Sequence, residues 1–320
     1  MLIYTIRRLN LFVITMLILS MVGFSILRLD PESIWSQHSY WGGWFDYLQQ
    51  LFSGNLGTTL SGASASAEVI AVFPATLELC FFAFLLALLL GIPLGTISGA
   101  NKGGISDTAI SFGTLIGFSV PVFWMAVIFI TLFSLNLGWL PVSGQYNVLY
   151  EIPQVTGFAL IDVLLSSHPY QSAAMEDILR HLILPTIVLS IAPMTEVILL
   201  MKASVAHEMT QNYVKAAATK GLSRSEIVRR HVMKNALPPL LPKLGLQFST
   251  VLTLAIIVEF IFNWPGIGRW LLDAIAHQDH VAIQAGVISV ATSVLLVNIL
   301  TELAGAAVNP LVRKEWYANK

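Results

Sequence analysis

The chain has 320 residues, 56% of them hydrophobic and only 11% charged, with a formal net charge of −1. A soluble domain carries about 25% charged residues, so a globule wetted on all sides is excluded and lipid must be the solvent for much of the chain. The near-zero net charge argues neither for nor against nucleic acid by itself; the expected surroundings are membrane lipid, with no nucleic-acid partner.

A bilayer core of about 30 Å needs roughly 20 apolar helical residues, because no water is available there to satisfy the backbone. Six stretches qualify. The first, Leu9–Leu27, follows Arg7 and Arg8. It is longer than the apolar part of a signal peptide, roughly 7–15 residues, and no alanine precedes Ala63 to make an Ala-x-Ala cleavage site. It reads as an uncleaved membrane helix. A long loop to Pro74 carries Trp35, Trp41 and Trp44, expected as interfacial anchors or as contacts for an outside partner. The second span, Leu79–Ala100, holds the lone cysteine, Cys80, which can form no internal disulfide and is expected to pack. Gly91, Gly95 and Gly99 in this span, and Gly113 and Gly117 in the third, Ile110–Leu135, are spaced for close helix approach. Pro93 and Pro121 are candidate kinks. A second long loop, with Trp139, leads to Leu182–Leu200, and Leu244–Ile261 and Val281–Leu300 complete the set.

Lys and Arg set the orientation. With the N-terminus inside, 13 of the 17 basic residues fall on inner segments, so both termini are expected in the cytoplasm and the outer segments are acidic on balance. The expected organisation is a first helix and outer loop over 1–73, a core of five helices over 74–308, and a cytoplasmic tail over 309–320.

The one large inner loop, 202–236, is the most informative segment. It holds seven basic residues against Glu208 and Glu226. Tyr213-Val214-Lys215-Ala216-Ala217-Ala218-Thr219 is helix-forming, and Gly221 is placed as its C-terminal cap. Ser223-x-x-Glu226 fits a capping box that starts a second helix running to about Ala236, before Pro238 and Pro239. The expected unit is helix, sharp glycine turn, helix. The small residues Ala216, Ala217 and Gly221 could admit another surface at close range. Read blandly, the same segment is a basic tether obeying the positive-inside rule.

This segment resembles the Glu-Ala-Ala-x3-Gly loop of bacterial ABC-importer permeases, in the oligopeptide/dipeptide, binding-protein-dependent branch. The resemblance rests on Ala216-Ala217, Gly221-Leu222-Ser223 and His231-Val232-Met233-Lys234-Asn235-Ala236-Leu237-Pro238. Lys215 stands where the family has its Glu. Phe73-Pro74-Ala75-Thr76-Leu77-Glu78-Leu79, Ser119–Trp124, Gly138–Gly144, Glu259-Phe260-Ile261-Phe262-Asn263-Trp264-Pro265-Gly266-Ile267-Gly268 and Asp279 extend it over nearly the whole chain, although the family's Asp-Pro-Arg near the C-terminus is here Asn309-Pro310-Leu311.

The resemblance implies an all-α type I importer fold with six transmembrane helices in the bacterial inner membrane. It also implies a second permease subunit, cytoplasmic ATPase subunits that bind the ATP, and an external substrate-binding protein. This chain itself would hold no cofactor or metal. The implied cargo is peptides, antimicrobial ones included, or cationic solutes such as polyamines. The implied coupling residues are Tyr213, Lys215, Ala216, Ala217, Gly221, Leu222, Ser223, Glu226, His231 and Asn235, with a helix-end and turn motif at Glu259, Pro265, Gly266 and Gly268.

The chain is not expected to be an enzyme. It lacks any Gly-Lys pair for a phosphate loop, and His207-Glu208 has Gln211 where a zinc helix needs its second His. His181 and His231 read as isolated, hydrogen-bonded residues rather than metal ligands. The rival reading is a secondary transporter or channel not powered by ATP. Such a protein places ionisable groups deep in its helices, whereas Glu196, Glu259 and Glu302 here are expected near helix ends.

Overall fold

The computed structural model describes residues 2–31, 33–166 and 169–308. The predicted tail, 309–320, lies outside them. The main helices, in chain order, are α1 (Leu2–Leu27), α2 (Ile34–Gln37), α3 (Tyr40–Phe52), α4 (Ala65–Ala100), α5 (Ile105–Ser119), α6 (Val122–Phe129, continued by a π-helix over Ile130–Asn136), α7 (Ala159–Leu165), α8 (Gln171–Glu208), α9 (Asn212–Thr219), α10 (Arg224–Ile227), α11 (Met233–Ala236), α12 (Leu244–Ile261), α13 (Ile267–Ala276) and α14 (His280–Val308). The described residues contain no β-strand beyond an isolated bridge, Thr58 with Ser64. Helix is what lipid demands, since it pairs every backbone group within its own segment.

Five helices are long and apolar enough to cross a membrane. The expected third span is not a straight helix: α5 and the Val122–Asn136 segment meet at 101°. Pro121 is the cause. It has no N–H to donate and its ring excludes the preceding residue from helical geometry; Val120 accordingly sits at φ −90°, ψ 123°. Pro93, by contrast, stays inside α4. The other predicted spans prove to be the apolar centres of longer helices. The helix expected from Leu79 begins at Ala65, and the one expected over Leu182–Leu200 runs from Gln171 to Glu208.

The chain divides into two compact units. The first comprises residues 1–79, 126–185 and 254–296. One of its cores joins Phe24, Trp35, Tyr47 and Ile288, where the Tyr47 hydroxyl donates to Gln284 Oε1 at 2.6 Å. Trp35, expected as an interfacial anchor, is thus buried, whereas Trp41 and Trp139 are exposed.

The second unit comprises residues 80–125, 186–253 and 297–320. Its glycines are spent on helix contact. A Cβ on Gly95 would lie 2.6 Å from Met201 Cβ and 2.7 Å from the Ile198 carbonyl oxygen, and Gly91 and Gly99 face Val197 and Val205 of α8 in the same way. Gly117 meets Thr195, whereas Gly113 faces open space. Cys80 is fully buried, as a packing residue should be.

Candidate functional site

The inner loop follows the local chemistry closely. α9 ends at Thr219, and Gly221 has φ +81°, the left-handed geometry that a residue with a Cβ adopts only at a cost. The capping box is complete: Ser223 Oγ accepts from the Glu226 backbone N–H, and Glu226 Oε2 accepts from the Ser223 backbone N–H at 3.0 Å. These bonds to Ser223 hold the Glu226 carboxyl below its ordinary pKa. The second helix is not uniform, however. α10 passes into a π-turn over Val228–Val232 before α11. The loop is also shorter than 202–236, because Lys202 to Glu208 form the last turns of α8.

An apolar face fastens the loop to α8. Val214, Ala217, Ile227, Val232 and Ala236 are buried with Val197, Met201 and Val205, and Leu222 packs against the cluster. Ala217, expected as part of an outward docking face, is therefore an inner packing residue. Lys215, Ala216 and Gly221 are exposed, and nothing lies within 4 Å of where a Gly221 side chain would start. Polar ties complete the attachment. Ser204 Oγ donates to the Ala236 carbonyl at 2.9 Å, and Arg224 Nη2 donates to the Ala100 carbonyl at the end of α4. The Tyr213 hydroxyl donates to Glu208 Oε2 at 2.6 Å and bonds the Asn235 side chain; burial pushes the phenol pKa up. Tyr213, His231 and Asn235 line an open groove of about 560 Å3 together with Arg229, Arg230 and Lys234.

Beneath the loop, Lys202 Nζ lies 2.5 Å from Asp107 Oδ1. Asp107 also accepts from Ser98 Oγ at 2.5 Å and from the Gly103 N–H at 2.9 Å, so the α4–α5 turn is closed by the same carboxylate that meets α8. No sequence signal singled out this pair, whose members are 95 positions apart.

The turn motif lies in the first unit and has a different chemistry. Glu259, fully buried, reaches the start of α13, where Oε2 accepts from the Gly268 N–H at 2.7 Å and the Arg269 N–H at 3.2 Å. Thr76 Oγ1 takes the Ile267 N–H at 2.8 Å. Three of the four N–H groups that a helix start leaves unpaired are thereby satisfied. A Cβ on Gly266 or Gly268 would land on the Glu259 carboxylate, which explains both glycines; Pro265 is exposed. Glu78 does the same for α7, accepting from Ala159 at 3.3 Å, Leu160 at 3.0 Å and Gln145 Nε2 at 3.0 Å. Asp279 accepts from Ala282 N at the start of α14 and from Leu60 N. Thr76, Glu78 and Asp279 belong to stretches that carried the resemblance, but their capping role was not visible in them.

Two expectations about charge change. Glu196, expected near a helix end, is twelve residues short of the end of α8, and Gln247 Nε2 donates to its carboxylate. Glu78 is likewise interior to α4. Ionisable groups do enter the helices, and each has a hydrogen-bond partner. His181 Nδ1 bonds the Asp177 carbonyl at 2.8 Å, and no metal-ligand cluster occurs among the described residues.

Comparisons with known proteins agree with this architecture. Residues 91–314 match the family described as binding-protein-dependent transport system inner membrane component. The peptide transport system permease protein SapB of Salmonella typhimurium is 48% identical over 319 residues, covering 99% of each chain. The putrescine export system permease protein SapB of Escherichia coli K12 is 49% identical with the same coverage. The di/tripeptide transport system permease protein DppB of Pseudomonas aeruginosa is 37% identical, covering 98% of this chain and all of the relative. Among solved structures, an inward-facing MetNI methionine ABC transporter shares the fold, with a TM-score of 0.54 and 15% identity over 73% of this chain and 93% of that one.

Proposed function

The chain belongs to the binding-protein-dependent inner membrane component family and is a transmembrane channel subunit of an ABC transport system; on that premise we propose that the loop from α9 to α11 is its seat for a cytoplasmic ATPase. Subunits of this family work with ATPase and substrate-binding partners. The observation that supports the seat is mechanical. The loop shows Lys215, Ala216 and Gly221 to solvent, while its opposite face is sewn into α8 and the end of α4. A push on the exposed face is transmitted to two membrane helices rather than absorbed by a slack tether.

In this reading ATP is bound only by the partner, and closure of the ATPase pair moves the loop. A second permease subunit and an external binding protein complete the assembly. An access change of this kind requires the partner to hold one helix arrangement more tightly than the other. The cargo is a peptide or a small cationic amine, as the relatives' names suggest for those proteins. The test is purification of the full chain from membranes with its associated subunits, followed by reconstitution. An ATPase should co-purify, and ATP should drive movement of a labelled dipeptide or of putrescine. Nucleotide binding by the isolated chain, or ATP-independent transport, would refute the assignment of the seat.

A further inference from the structure

The groove beside α9 has no task in the reading above. Its volume of about 560 Å3 is lined by three permanent cations, Arg229, Arg230 and Lys234, with Tyr213, His231 and Asn235 and no carboxylate. The loop's two acids are engaged elsewhere. Glu208 accepts the Tyr213 hydroxyl, and Glu226 bonds Ser223, although the charges of Arg229 and Arg230 do reach it. Arg224 is tied to the Ala100 carbonyl. Arg229, Arg230 and Lys234 are all exposed, and so is Lys215 on α9, which extends the same sign of charge. Like charges along one wall repel, and an anion placed among them relieves that repulsion.

Position decides what kind of anion. Glu208, which fixes Tyr213 at the groove, is eight residues beyond Leu200, where the apolar stretch of α8 ends. At 1.5 Å per residue that is about 12 Å, deeper into water than a headgroup layer of roughly 5–8 Å. The groove opens on the aqueous side, out of reach of lipid phosphates. We propose that it is a second seat for the ATPase, taking an acidic segment of that partner's surface, and that Arg229, Arg230 and Lys234 select partners whose facing surface is acidic. This rests on the loop being the ATPase seat at all.

Two measurements test it. In the first, the full chain in nanodiscs of neutral lipid is titrated with a fluorescent deca-glutamate peptide. The chain should bind it, with affinity falling as salt rises. R229Q/R230Q/K234Q should weaken binding roughly tenfold or more, as expected for three exposed charges, while R229K/R230K should retain it. Lys102→Gln, an exposed cation outside the groove, should change nothing. In the second, the complex with the co-purified ATPase is challenged with salt. The wild-type complex should dissociate progressively, and that of the triple Gln variant should be weaker and nearly insensitive.

Equal peptide affinity in the triple Gln variant overturns the proposal. So does displacement of the peptide by micromolar inorganic phosphate, which marks a small-anion site, and so does binding that appears only with phosphatidylglycerol, which marks a lipid site. If no ATPase accompanies the wild-type chain, both readings fall. If the ATPase stays with the triple variant at unchanged salt dependence, only the second seat does.

Discussion

Glu259 and Arg230 are both charged, and the protein uses them in opposite ways. Glu259, Glu78 and Asp279 are buried, and each accepts backbone N–H bonds at the start of a helix. A carboxylate taken out of water is tolerable there because the helix start supplies donors and a favourable dipole. Arg229, Arg230 and Lys234 stand on the surface around an open groove. Charge of the first kind is consumed by folding, since its partners lie within the chain. Charge of the second kind is left for something outside. The two regions should therefore fail differently, the first by losing the protein and the second by losing the partner.

The largest expected effect is in the first region. Gly268→Val places a Cβ 2.6 Å from Ile256 Cα and 2.8 Å from Glu259 Oε2, so backbone must move; about 2–4 kcal/mol of stability should be lost, visible as low membrane abundance and a lower thermal midpoint in detergent. Glu259→Gln keeps an oxygen acceptor but loses the charge-assisted bonds, so a smaller loss of about 1–2 kcal/mol is expected by the same measurement. A normal midpoint for both would show that the α13 start is satisfied without Glu259.

In the second region the signature inverts. Gly221→Val strains a φ of +81° by roughly 1 kcal/mol but meets no atom within 4 Å. Abundance should stay normal while ATPase co-purification drops, with Lys215→Ala milder. Normal recovery of the ATPase with Gly221→Val would reduce the loop to a tether and erase the contrast. The smallest effect concerns pH. Because Ser223 lowers the Glu226 pKa below its ordinary 4.5, the capping box contributes fully above that value and is lost as pH falls through the folded pKa. Amide protection at the start of α10, corrected for intrinsic exchange, should be flat from pH 5 to 8 and fall below about 4.5; Glu226→Gln should remove that dependence.

What the sequence made legible was local. Gly221, the Ser223–Glu226 box and the Pro121 break are each settled within three or four residues, and each occurs where the pattern puts it. Relations between distant segments were not legible. Nothing near Glu78 announces that Ala159 and Leu160 will donate to it, and Lys202 counts in the sequence only as an inner positive charge until Asp107 is found beside it. Ala217 failed for a related reason. Ala216 and Ala217 are equally small, and only the rotation of α9 against α8 decides which one points inward. Apolar length likewise marked the centres of α4 and α8 but not their ends, because a helix continues into water wherever its own hydrogen bonds and the segments packed on it allow.

The π-turn at Val228–Val232 can be regarded as one surplus residue held inside a helix. Removing any one of those five residues lets the ladder close in ordinary α geometry. Everything after the deletion then rotates by roughly 100° about the helix axis, the angle of a single residue. Lys234 and Asn235 would swing off the groove wall while composition and charge barely changed. The reading frame of this short helix, as much as its chemistry, thus determines which side chains the groove displays, and insertions or deletions here should be far less tolerated than substitutions at the same positions.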